Sequence, residues 1–357
     1  MPFVSGSQPL SRPTKRLIFA ILSGLSMLEP SAARASDCSN GSGFSACFDA
    51  NALWLPAGRA TFMSIPDTQP SSAGQIGFGI ASELLHQPLL LRVASPDRDG
   101  RDVHLLDYAM DVSYFLSFGL PRNFEVSVLA STRAYQTGAG VGGIRSQSAP
   151  PLERSAVRDP RMGLAYSLDD ALAAPGFGLR LAVDATLPIG DRNAFANERS
   201  LVVMPNATFG FRYGAFRFNS EFGVRLRERV DFGGVSLSNQ GFVALGAAVD
   251  LLQSGWLSLS AEAFGLPPLS SNRGSAASPQ VSETLLFPAE WLAAVHSSFG
   301  SAGTWTVSLA AGSGLPLSSE TRDSPGGART SYFMGLTAPD FRSLLVLRFV
   351  PAPPSRR

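Results

Sequence analysis

Asp107, Asp111, Glu125, Arg133, Arg161, Arg180, Asp184, Arg212, Arg217, Glu221, Arg225, Arg227, Glu262 and His296 share one property. Each stands at a polar position of a segment that alternates polar and apolar residues with a period of two. Charged groups arranged this way on the inner face of a closed sheet set the field in a pore and select the solutes that cross it. The same groups can instead neutralise one another and fill the interior, as in barrels of eight strands. Arg212, Arg217, Arg225 and Arg227 concentrate on two successive segments, whereas Asp107 and Asp111 come from another. Opposite walls are therefore expected to carry opposite sign, giving a transverse field that orients polar solutes.

Other chemistry finds less support. A hydrolase needs Ser, His and a carboxylate or amide brought together, and the chain has His86, His104 and His296, the last beside Ser297 and Ser298, with no G-x-S-x-G. No catalytic residue and no enzyme activity is expected. "GAGVGG" (138–143) lacks the Lys-Ser/Thr of a phosphate loop and is expected to be an external loop. "RLRER" is too narrow for nucleic acid, which needs a wider field and stacking aromatics. Cys38 and Cys47, the only cysteines, lack a nearby His and make a poor metal site; in an oxidising compartment they are expected to form a small disulfide loop. Neither metal nor cofactor is expected.

The elements that must carry the charges show themselves in "FRFNSEFGVRLRER" (216–229). Phe216, Phe218, Phe222, Val224 and Leu226 share one face, and Arg217, Glu221, Arg225, Arg227 and Arg229 the other. A soluble sandwich would bury the aromatic face, while a membrane barrel would turn it to lipid. Two patterns favour the barrel. Breaks between strands alternate short and long, from "GLPRN" and "GA" to the long polar stretches at 138–157 and 270–286. Such barrels have tight periplasmic turns and longer external loops. Aromatics also mark every short turn: Phe118 and Phe124, Phe177, Tyr213 and Phe216, Trp256, Phe299 and Trp305. Amphipathic rings belong at the headgroup level. An Arg forced into lipid at the midplane costs about 2–4 kcal/mol, which also fixes the register. The fold expected is all-β, a transmembrane antiparallel up-and-down barrel of about twelve strands. "SYFMGL" is assigned to an external loop, and residues 341–350 to the last strand. Fourteen strands are the alternative, with one more at 59–65.

Basic and acidic residues nearly cancel, 29 against 28, so no overall positive charge argues for nucleic acid. Ahead of the barrel, Arg12, Lys15 and Arg16 precede the apolar "LIFAILSGLSML" and a small-residue site at Ala33 and Ala35. This layout predicts a secretory signal over 1–35, too short in its apolar part to span a membrane. The expected domains are that signal, a periplasmic N-terminal segment at 36–73 with the disulfide loop, a barrel at 74–350 and a short Pro-rich tail at 351–357.

"TLPIGDRNAF" (186–195), "MPNATFGFRYGAFRFNSEFGVRLR" (204–227) and "APDFRSLLVLRF" (338–349) resemble the barrel portion of large OmpA-type outer-membrane proteins of myxobacteria and related bacteria. More distantly the chain is similar to transporter-like outer-membrane barrels of the phenol-degradation-pathway type. The likeness covers about 75–350. It implies an outer-membrane location and a channel or transporter for small polar solutes. Many such proteins continue into a peptidoglycan-binding domain, and the resemblance here implies a barrel without that tether. A closed structural or surface-binding barrel is the alternative. The implied partners are outer-membrane lipid, the barrel-assembly machinery and small solutes, with no nucleic acid.

Overall fold

The computed structural model describes residues 45–93, 101–143, 151–168, 176–232, 235–252, 256–269, 281–300, 304–322, 329–333 and 336–351. The expected signal and Cys38 lie outside them, as does the tail after 351. Twelve strands form the barrel wall: β1 (Ile76–Val93), β2 (Arg101–Leu120), β3 (Phe124–Thr137), β4 (Arg161–Ser167), β5 (Phe177–Thr186), β6 (Val202–Tyr213), β7 (Phe216–Arg225), β8 (Gln240–Asp250), β9 (Leu257–Gly265), β10 (Ala289–Phe299), β11 (Trp305–Gly314) and β12 (Phe341–Phe349). Each is antiparallel to its neighbour, and β12 closes on β1 from Phe78↔Phe349 to His86↔Phe341. Closure leaves no sheet edge, so the backbone can satisfy itself in hydrocarbon.

The expected twelve-strand barrel is thus the observed one. Residues 59–65 do not join the wall, which removes the fourteen-strand alternative. Residues 331–333 belong to a separate three-stranded sheet with Val281–Leu285 and Ser318–Arg322, so that stretch is no barrel strand either.

The two faces of the wall follow the alternation. On β7, Phe216, Phe218 and Phe222 are 53%, 48% and 46% exposed, while Glu221 and Arg225 are each 3% exposed. Outward aromatics gather where the short turns lie. Phe78 packs against Phe349 at 5.0 Å and Trp305 at 5.8 Å between ring centroids, and Phe124 pairs with Tyr166, and Phe177 with Phe211. The β2–β3 turn is tight enough to put both Arg122 and Asn123 at φ 61°.

At the opposite end the alternation breaks. The β1–β2 register shifts between His86 and Leu89, where Gln87 has φ 51°. Past that bulge Leu106, which the alternation of β2 would put on the outward face with Tyr108 and Met110, is instead buried with Leu89, Leu105, Phe195 and Phe232. A bulge adds an unpaired residue and re-aims the side chains beyond it, so the long-loop end of the barrel carries an apolar cluster of its own.

Candidate functional site

Residues 45–73 are expected outside the barrel. The structure instead runs them among the inward-facing side chains, from the apolar cluster at the long loops, where Phe48 packs on Phe195 and Phe232, to the short-turn end where β1 begins. The segment forms no helix and no strand. Its buried peptide groups still need partners, and the wall's charges supply them with matching sign.

Carbonyls meet arginines. Arg348 donates to the carbonyls of Ala60 at 2.8 Å and Pro56 at 3.1 Å, Arg225 to that of Ala52 at 3.3 Å, and Arg161 to that of Leu55. Amides meet carboxylates. Glu262 accepts from the N–H groups of Met63 at 2.6 Å and Ser64 at 2.9 Å, and from the Ser64 hydroxyl. Glu125 accepts from the Ser71 N–H at 2.9 Å. Trp54 lies beside both Arg225 and Arg161, whose guanidinium carbons are 4.2 and 4.8 Å from its ring centroid. Phe62 sits against Gly246 so closely that a Cβ there would lie 2.6 Å from its ring. The wall has no side chain where the segment needs room.

Nearer the long loops the charges pair mainly with one another. Arg342 forks onto Glu290 at 2.7 and 2.8 Å and also pairs with Glu83. Arg133 binds Asp111 at 2.8 Å, and Arg158 reaches Asp111 at 3.0 Å and Asp49 at 2.5 Å. Asn51 of the segment joins the two groups, donating to Glu83 at 2.7 Å and Asp111 at 3.1 Å while accepting from Arg342 at 2.9 Å. Asp111 is therefore neutralised beside its own strand, and the expected transverse field between opposite walls does not form around it. Single charges in so dry a layer would be prohibitive, which is why each is forked or shared.

The remaining sequence candidates scatter. Arg161, Arg180, Asp184 and Glu221 line one cavity in the lumen. Arg217 pairs with Asp250, as does the largely exposed Arg212 at the short-turn end. Arg227 lies past the end of β7 and binds Glu198 at 2.6 Å. Asp107 is half-buried on β2. His296 is held between Ser260 and Ser308, 2.8 Å from each hydroxyl, rather than by its chain neighbours Ser297 and Ser298. Sequence reasoning missed Glu83, Arg342, Arg348, Asn51 and Trp54. The period of two in "FRSLLVLRF" already puts Arg342 and Arg348 on the inner face; the segment residues carry no such signal.

Two cavities remain beside the segment, about 490 Å³ and 360 Å³ with their open mouths. Trp54, Leu55, Leu129 and Arg161 border both. They stand between the cavity lined by Asp49, Arg158 and Asp159 and the one lined by Arg180, Asp184 and Glu221. At the outer of these, burial pushes the Asp159 carboxyl up to about 7, against the N–H groups of Glu198 and Gly190 that donate to it at 2.6 and 2.7 Å. Burial also raises Glu198, opposed by Arg227. Burial works against the charge of Arg158, but Asp49 and Asp111 outweigh it and hold the guanidinium protonated beyond its ordinary range.

A closed barrel with a greasy exterior, an aromatic girdle and a charged interior has the fold of an outer-membrane β-barrel. No family model and no curated protein sequence matches the chain. Among solved structures it is similar to an outer membrane channel from Pseudomonas putida F1, with a TM-score of 0.54 and 11% identity over 80% of this chain and 98% of that one. It also aligns with the NanC porin (TM-score 0.42, 8% identity, 77% and 98% covered) and the Ralstonia pickettii toluene transporter TbuX (0.39, 9%, 80% and 91%). At 11% identity the first likeness is one of fold alone.

Proposed function

We propose that the protein is an outer-membrane channel for small polar solutes in which residues 45–73 act as a plug. The observation that carries this is the mixed-sign inner wall. Its charges solvate the peptide groups of the segment as they would solvate a polar solute, and the two cavities trace a broken path past Trp54 and Leu55. Likeness in fold to a bacterial outer membrane channel supports the reading, as does the resemblance of 186–195, 204–227 and 338–349 to outer-membrane barrel families. Export by the signal at 1–35, insertion by the barrel-assembly machinery and pore-lining roles for Arg161, Arg180, Asp184, Glu221 and Arg225 belong to the same proposal. Solute flux into proteoliposomes tests it. Small sugars and amino acids should enter faster than into protein-free vesicles; flux no greater than the lipid background, from correctly folded protein, would reject the channel.

The closed structural barrel is the second reading, favoured by the self-paired Arg342–Glu290–Glu83 layer, which needs no solute to satisfy it.

A further inference from the structure

Most buried charges of the lumen have partners, and one wall stands out because several of its polar atoms do not. On β6 and β7, Thr208 and Glu221 are directly opposite each other. Glu221 is 3% exposed and its Oε2 has no hydrogen-bond partner; the Thr208 hydroxyl and the Asn206 amide oxygen are likewise without one. A buried acceptor left unmade costs about 1–3 kcal/mol, so a cluster of them on one wall calls for a donor from outside the chain. Of these residues Glu221 lines the larger cavity, beside Arg180 and Asp184, the latter accepting from the Asn206 amide nitrogen at 2.9 Å.

The missing partner has a definite chemistry. It must offer several donors at one point, because Glu221 and Asp184 both line the cavity with carboxylates. A primary ammonium group carries three N–H donors around one charge. Arg180, Arg161 and Arg225 stand around Glu221, so a bare cation would face them unshielded, while a molecule with an anionic end would be drawn to them. Arg180 is the most available of the three: its contact with Glu125 is long, at 3.5 Å, whereas Arg161 and Arg225 are engaged by the segment's carbonyls and by Trp54.

We propose that this cavity is a binding subsite for small zwitterions, with the ammonium group on Glu221 and Asp184 and the carboxylate on Arg180. The proposal rests on the channel reading for how the solute arrives, but binding is measured apart from flux. Calorimetry of the full chain, folded in detergent, would use β-alanine, methylammonium and acetate as probes. β-Alanine should bind saturably and more tightly than either single-charge probe. Glu221→Gln, which keeps the shape, should weaken β-alanine at least roughly tenfold, and Arg180→Gln should bring it down to the level of methylammonium. Heat-modifiable migration of both variants checks that they fold. Unchanged β-alanine affinity in Glu221→Gln, or methylammonium binding as tight as β-alanine, would overturn the assignment. Absence of saturable binding while proteoliposome flux persists would overturn the subsite alone and leave the channel standing.

Discussion

In the half of the lumen nearer the long loops, Arg342, Glu290, Glu83, Asp111, Arg133 and Arg158 neutralise one another. In the half nearer the short turns, Glu262, Glu125 and Arg348 find their hydrogen-bond partners largely on the backbone of residues 56–71. The first arrangement is carried mainly by charges outside the segment, which adds Asn51 and Asp49 to it. The second exists only while the segment is present, and without it the same groups would line a water-filled passage. One barrel thus joins an ionic belt paired mainly with itself to a stretch of wall built around a removable guest.

Breaking the belt should cost most. Arg342→Leu strands Glu290 and Glu83 in a dry layer, and loss of one partner of a buried pair typically costs about 3–5 kcal/mol. The melting temperature of the whole barrel in detergent should fall accordingly; an unmoved melt would show the belt to be hydrated. On the guest's side the loss should stay local. Glu262→Ala removes the acceptor of Met63, Ser64 and its hydroxyl, and hydrogen bonds to a charged group are worth about 1.5–3 kcal/mol. Amide exchange at Met63 and Ser64 should quicken while the barrel melts as before. Simultaneous loss of both would deny that the two halves are separable.

The mouth should respond to pH with a definite sign. Burial raises Asp159 from 3.8 to about 7, so the folded mouth holds a proton that the unfolded chain gives up. The associated stability is complete below about pH 4 and is lost as pH climbs to 7, with Glu198 shifted in the same direction. Exchange protection at Gly190 and Glu198 should therefore decline across that window, and decline less steeply in Asp159→Asn, where Glu198 alone still titrates. Protection that rises with pH would reverse the assignment. Least consequential is Arg212→Ala, whose pair with Asp250 is largely in water and should change the melt by under about 1 kcal/mol.

Much of this molecule was legible in its sequence. Hydrocarbon outside and charge inside impose a period of two with little tolerance, which is why "FRFNSEFGVRLRER" gave its faces and strand number followed from the breaks. The interior charges were legible as inward but not as partners, since pairing depends on strand register: Asp111 meets Arg133 through a bulge that shifts the β2–β3 alignment at Met110. The segment was misplaced because Pro56, Gly58 and Pro66 interrupt any periodicity. A different signal was present there: "NALWLPAGRATFMSIP" (51–66) is too apolar for a solvated linker. It buries Leu53, Leu55, Phe62, Met63 and Ile65 without forming an element.

Planar-bilayer conductance of the full chain beside a variant lacking residues 45–70 addresses the plug most directly. With the segment present the barrel should carry little current, and without it the folded barrel should conduct steadily, at least roughly tenfold more. Equal conductance from the two would mean that the lumen is not closed by residues 45–73.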